Sequence, residues 1–255
     1  MAQRREIGPG AQLRYEPSSR WVRGELGGET VVDSREPLLV WEPGRIVPLY
    51  CFPRRDVRME LLRPATSAER SDSPRDRLWT AEVDGRVEDS AAWSYADPDL
   101  ADYVALRWDA LDAWYEEDEE VFGHPRDPHH RIDVLPSSRR VRVELEGELL
   151  AESAHPHLLF ETGLPIRFYL AEDDIRADLV GPSETHTRCP YKGVASYWSV
   201  RVADQLLEDL AWFYPDPVPE APKIRGLIAF YNERVDLIVD GRPHDRPHTQ
   251  WSRSK

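Results

Sequence analysis

Apolar and polar residues alternate along much of this chain with the two-residue period of half-buried strands. The stretch VRVELEGELLAES (141–153) alternates on both sides of a Glu-Gly pair, which predicts a hairpin. HLLFET and IRFYLA read as short strands separated by the turn Gly163-Leu164-Pro165. The segment Asp173–Val180 opens with capping-type residues and is spaced for a helical turn or two. ASYWSVRV (195–202) alternates as a strand, and GLIAFYNERVDLIVDG (226–241) reads as two strands turning at Asn232-Glu233.

The same pattern occurs twice. VRGELGGETVVDS (22–34) matches VRVELEGELLAES at an offset of 119, and PLLVWEPG (37–44) matches PHLLFETG (156–163). Tyr50 then meets Tyr169 and, after a one-residue slip, DVRMELL (56–62) lies on DIRADLV (174–180). The offset of 119 returns for Trp79 with Trp198 and for AWSYADP (92–98) with AWFYPDP (211–217). It becomes 124 for YVALRWDALDAW (103–114) on LIAFYNERVDLI (227–238). An ordered series of this kind marks a tandem duplication. The expected organisation is a polar tail 1–19, a first domain 20–125, a linker 126–138, a second domain 139–245 and a polar tail 246–255. The expected fold is mainly β with one short helix per repeat, as two homologous small β-barrel or packed-sheet domains in tandem.

Composition narrows the partners. With 255 residues and a formal charge of −14, the chain lacks the clustered cations that nucleic acid or an anionic membrane requires. Any anion site must therefore rely on local Arg and Lys. Two cysteines, Cys51 and Cys189, make no disulfide framework, and the basic start is followed by no apolar signal core. No apolar run approaches the 18 residues of a membrane span. A cytoplasmic protein is expected, with neither nucleic acid nor membrane as partner.

The segment TRCPYKGVASYW (187–198) resembles the hallmark of the domain-of-unknown-function family 427. LLFETGLPIRFYL (158–170), AWFYPDP and AFYNERVDLIVDG (229–241) fit the same family, and WYEEDEEVFGHPRDPHHRIDVL (114–135) resembles the close of the domain in its tandem members. The resemblance spans both halves, roughly 20–245. It implies small, mainly β domains and carries the label nucleotidyltransferase-like, without naming a reaction.

The copies diverge where the motif is strongest. At offset 119, Cys189 falls on Arg70 and Lys192 on Ser73, so the first copy lacks Cys-Pro-Tyr-Lys-Gly. A working site is therefore expected in the second copy only. Cys189 and Lys192 are the catalytic candidates, because cationic neighbours stabilise a thiolate and Arg188 and Lys192 flank this thiol. Lys192 alternatively binds a ligand phosphate or carboxylate as a point charge. Arg188, Glu161, Arg167, Tyr169 and Tyr197 are the substrate-binding candidates, and Trp198, Trp212 and Tyr214, matched in both copies, suit core packing. The acidic run 116–120 with His124, Asp127, His129 and His130, and the trio His155, His157 and His186, match no closed metal pattern. No metal is assigned and no cofactor is named. Phosphate-binding glycine loops and the Gly-x-Ser-x-Gly elbow are absent. The leading expectation is an enzyme acting on a small anionic or carbonyl-containing molecule; the alternatives are a non-catalytic ligand-binding or protein-interaction module using the same loop and, more weakly, a nucleotidyltransferase.

Overall fold

The computed structural model describes residues 12–65, 74–176, 178, 180–202 and 205–252. The chain forms two compact units, Met1–Asp127 and Pro128–Lys255. The first holds β1 (Arg14–Pro17), β2 (Val22–Leu26), β3 (Glu29–Ser34), β4 (Leu38–Trp41), β5 (Leu49–Pro53) and β6 (Leu62–Pro64). It continues with β7 (Arg75–Val83), β8 (Arg86–Tyr95), β9 (Tyr103–Leu106), β10 (Ala113–Glu116) and β11 (Glu119–Val121). The second holds β12 (Ile132–Pro136), β13 (Val141–Leu145), β14 (Glu148–Ser153), β15 (His157–Glu161), β16 (Arg167–Leu170) and β17 (Val180–Cys189). It ends with β18 (Gly193–Val202), β19 (Gln205–Phe213), β20 (Ile228–Phe230), β21 (Asp236–Val239) and β22 (Arg242–His244).

Each unit pairs a seven-stranded with a four-stranded antiparallel sheet. The orders β1-β4-β5-β9-β8-β7-β6 and β11-β10-β2-β3 in the first recur in the second as β12-β15-β16-β20-β19-β18-β17 and β22-β21-β13-β14. Neither unit closes into a barrel, so the packed-sheet form of the expected fold is the one adopted. One core fills the space between the sheets; in the second unit Val143, Leu150 and Leu237 from the small sheet meet Phe168, Val200 and Leu210 from the large one. A second cluster, including Tyr169, Tyr197, Trp212 and Tyr214, covers the opposite face of the large sheet. That outer face carries the candidate site.

The expected helical turn of each repeat is a 3-10 turn, Arg54–Asp56 or Glu172–Asp174, one of four such turns described in the first unit and of two in the second. It stops there because the next residue, Val57 or Ile175, bridges to Val32 or Ala151 on the small sheet and pulls the chain extended. The described parts of the segments read as tail and linker are paired chain. β1 pairs with β4 and β12 with β15 in the same register, Pro17 opposite Leu38 and Pro136 opposite His157. Each is too short, and too flanked by charge, to stand out from its own pattern. The tail after 246 also takes part, through Thr249 and Trp251. The segment 226–241 does form two strands, but they are no hairpin. β20 joins the large sheet and β21 the small one, and the turn between them, closed by Arg234 N–H donating to Tyr231 O (2.8 Å), crosses from sheet to sheet. No described helix is long and apolar enough to cross a membrane.

The Tyr50–Tyr169 match fails by one residue. Leu38 lies opposite Cys51 and His157 opposite Tyr169, so Cys51 is the counterpart of Tyr169 and Tyr50 that of Phe168. A slip of one position turns a side chain to the other face. Tyr50 therefore sits in the inter-sheet core, donating to Glu116 Oε1 (2.7 Å), while Tyr169 faces the outer cluster.

Candidate functional site

Register alone gathers the site. Opposed residues share a face and alternate residues return to it. Pairing of Ile132 with Glu161, Leu159 with Arg167, Tyr169 with Ala229, Ala229 with Trp212, Trp212 with Tyr197, Ala195 with Thr187 and Gly193 with Cys189 carries one face across the whole large sheet. Glu161, Arg167, Tyr169, Tyr197 and Cys189 all lie on it. Arg188 does not. It is one residue out of phase, stands opposite Val194, and is exposed on the other face.

Cys189 ends β17, and the turn to Gly193 brings Lys192 N–H to Cys189 O at 3.3 Å. Gly193 opens β18 at a φ of +100°, and a Cβ there would lie 3.2 Å from the Asp216 carbonyl oxygen. Both features demand glycine. Gly193→Ala is expected to cost about 1–2 kcal/mol, seen as a lower unfolding midpoint confined to the second unit.

Beneath this turn lies Glu161, its side chain 5% exposed. Lys192 Nζ donates to its Oε2, and His130 Nε2 sits 3.0 Å from its Oε1. Burial alone would raise the Glu161 pKa, but the His130 hydrogen bond and the Lys192 charge outweigh it, and the carboxyl titrates below its usual range. The His130 ring stacks on Tyr191 at 4.1 Å between centroids. Cys189, Tyr191 and Lys192 thus belong to one turn, of which the Tyr191 and Lys192 side chains meet a His–Glu pair contributed by β12's approach and β15.

The other candidates occupy different roles. Arg167 is buried and bidentate to Glu233 (2.6 and 2.8 Å), with Asn232 Oδ1 at 3.3 Å. Tyr169 is fully buried and accepts a hydrogen bond from Trp212 Nε1 at 3.1 Å. Burial, more than any neighbour, pushes its phenol far above the usual value. Tyr197 is buried and shares a 2.8 Å hydrogen bond with Thr187. A groove of about 610 Å³ lies farther along β17–β19, lined by Ser183, Thr185, Arg201 and Asp209 among others, and contains none of these residues.

His130, considered from the sequence only within the acidic and histidine cluster, is joined to the site by Glu161. The available signal is register: two residues before Ile132, which pairs with Glu161, a side chain is carried to that carboxylate. The acidic run is likewise no solvated face throughout, since Glu116 is buried, accepting from Tyr50 and paired with Arg20 at 2.9 Å. Among the described residues no three His, Cys, Asp or Glu side chains gather as a metal-holding group.

The first unit shows what duplication kept. Glu42, the counterpart of Glu161, is also buried, held by Arg75 through two 2.9 Å hydrogen bonds and by the Tyr95 hydroxyl at 3.1 Å. Arg70 and Ser73 lie outside the described residues. A buried carboxylate neutralised by a cation thus belongs to the scaffold of both units, and the Cys189 turn with His130 is what the second unit adds. No curated protein sequence matches the chain. Residues 14–117 and 133–241, most of its length and one span in each unit, match the family described as Domain of unknown function (DUF427), NTP_transf_9. The chain belongs to the DUF427 family and carries two copies of its domain in tandem.

Proposed function

We propose that the second unit is a thiol-based enzyme acting on a small carbonyl-containing or anionic molecule, with Cys189 as nucleophile and His130 as its base. One observation carries the reading: buried Glu161 holds both His130 and Lys192 under the turn that presents Cys189. An ionised Glu161 accepts from Nε2–H, which leaves the lone pair of a neutral imidazole on Nδ1. That nitrogen takes the thiol proton as Sγ bonds to the substrate carbonyl carbon and the carbonyl π pair moves to oxygen. Lys192 balances the Glu161 charge, so protonated His130 leaves the cluster at a net +1, favourable to a thiolate or an oxyanion. Tyr197 and Thr187 line the same face and supply polar contacts to the substrate.

Two other readings receive less support. Anion recognition by Lys192 alone is weakened because its ammonium is already committed to Glu161. Nucleotidyl transfer rests on the family's label alone.

The test is alkylation of the folded protein by iodoacetamide at pH 7, followed by peptide mass spectrometry. Cys189 is half-buried and is expected to react, whereas Cys51 is fully buried, its thiol pushed far up by that burial, and stays unmodified. His130→Gln is expected to slow Cys189 labelling at least fivefold with Cys51 still protected. An unchanged rate would remove His130 as base and leave ligand binding as the better reading.

A further inference from the structure

The segment after β22 folds back onto the site face. Thr249 Oγ1 donates to Glu233 Oε1 at 2.6 Å, the same oxygen that accepts from Arg167 Nη2. A small turn locks behind it: Trp251 N–H donates to Thr249 Oγ1 (3.1 Å), Ser252 N–H to Thr249 O (3.1 Å), and Ser252 Oγ to Pro247 O (3.3 Å). This lays the Trp251 indole 5.6 Å from the Arg167 guanidinium and 6.4 Å from the Tyr231 ring. Trp212 packs tilted against Tyr231 at 4.5 Å between ring centroids, and Trp212 lies opposite Tyr197 in the sheet. Trp251 therefore ends an aromatic row that runs through Tyr231 and Trp212, whose sheet partner Tyr197 shares a hydrogen bond with Thr187, one alternate position from Cys189.

Among the described residues the first unit has no counterpart of the Arg167–Glu233 pair. The counterpart of Arg167 is Leu49, and that of Glu233 is Asp109, which is 80% exposed and paired with Arg107. A clamp needed only for folding would serve both copies of one fold equally. Among the described residues, the buried pair and the aromatic row it carries occur only in the copy that holds the Cys189 turn. Trp251 and Thr249 are also only partly buried, so the strap is a surface covering and not part of the core.

We propose that residues 247–252 are a strap that gates the aromatic end of the site, and that Trp251 occupies the stacking position taken by a flat, unsaturated portion of the ligand. Closed, the indole covers Tyr231 and the guanidinium. Open, the Tyr231 ring and the outer face of Arg167 offer a planar group the stacking and cation–π contacts that Trp251 gives up. Arg167 stays neutralised by Glu233 in both states, so the strap moves without leaving a bare buried charge. The inference deepens the reading of this face as a small-molecule site, but no step in it depends on Cys189 chemistry.

The test uses the full chain, its Thr249→Val and Trp251→Ala variants, and indole as the probe, read by hydrogen exchange. In the wild-type protein the Trp251 and Ser252 amides are expected to be protected, and Thr249→Val is expected to speed their exchange at least tenfold while the β13, β16 and β20 amides are unchanged. Indole is expected to slow exchange across 228–235 in both variants at concentrations at least tenfold below those needed for the wild type. Unprotected Trp251 and Ser252 amides in the wild type would overturn the strap. Equal indole affinity in all three proteins, with the Thr249→Val strap demonstrably open, would overturn the gating. Neither readout touches Cys189, so an unreactive thiol would end the enzyme reading and leave this one standing.

Discussion

Glu233→Ala is expected to lower the stability of the second unit by about 3–5 kcal/mol. The Arg167 and Glu233 side chains are 6% and 0% exposed, and removing the carboxylate leaves a guanidinium among Trp212, Tyr231 and Trp251 with Asn232 Oδ1 as its remaining hydrogen-bond partner among the described residues. Lone buried charges are costly because the interior cannot replace the water they lose. The double change Arg167→Met with Glu233→Leu is expected to recover most of the loss, since a buried pair is often replaceable by apolar residues of similar volume. Urea denaturation of the full chain checks both, with the effect confined to the transition of the second unit. A single variant that loses under about 1 kcal/mol would mean that water reaches Arg167 and that the pair behaves as a surface one.

Lys192→Met is expected to cost about 3 kcal/mol at pH 7, and the cost is expected to shrink as pH falls. The reason is Glu161. Its carboxyl is held below the ordinary glutamate value of 4.5 despite burial, by the His130 hydrogen bond and then Lys192. A group whose folded pKa lies below its unfolded one contributes stability that is fully present above the unfolded pKa and is lost as pH falls through the folded one. In the wild type, therefore, this contribution is complete above about pH 4.5 and disappears below it. Without Lys192 the folded-state pKa of Glu161 rises, and once the carboxyl is protonated the missing cation matters little. Chemical denaturation of both proteins from pH 3 to 7 reads the effect as two curves that converge toward acid. Parallel curves would show that Lys192 contributes packing and not charge.

The alternation in VRVELEGELLAES and the offsets of 119 and 124 are local properties of the chain, and both survive in the structure as the hairpin β13–β14 and as identical strand orders in the two units. The resemblance to DUF427 rests on side chains contiguous in sequence, and it too was legible. β1 and β12 were not, because a strand of four or five residues flanked by charge has too few apolar positions to declare a period; it is recognisable only once a partner edge exists for it. The Tyr50–Tyr169 match shows the limit of alignment by eye: one residue gained in the turn after Gly44 leaves the letters similar and reverses the face.

Of the residues singled out around the Cys-Pro-Tyr-Lys-Gly motif, sequence alone established that Cys189 and Lys192 stand three residues apart and that the first copy lacks the motif. It also paired Glu161 with Glu42, whose burial in both units follows from their equal place at the end of β4 and β15. Tertiary structure decided the rest. It spent Arg167 on Glu233 and Lys192 on Glu161, sent Arg188 to the other face, and brought His130 to Glu161 from 31 residues away in the chain. A charged side chain chooses its partner by distance and burial, and those are set by which strands lie side by side, an arrangement that no stretch of residues encodes within itself.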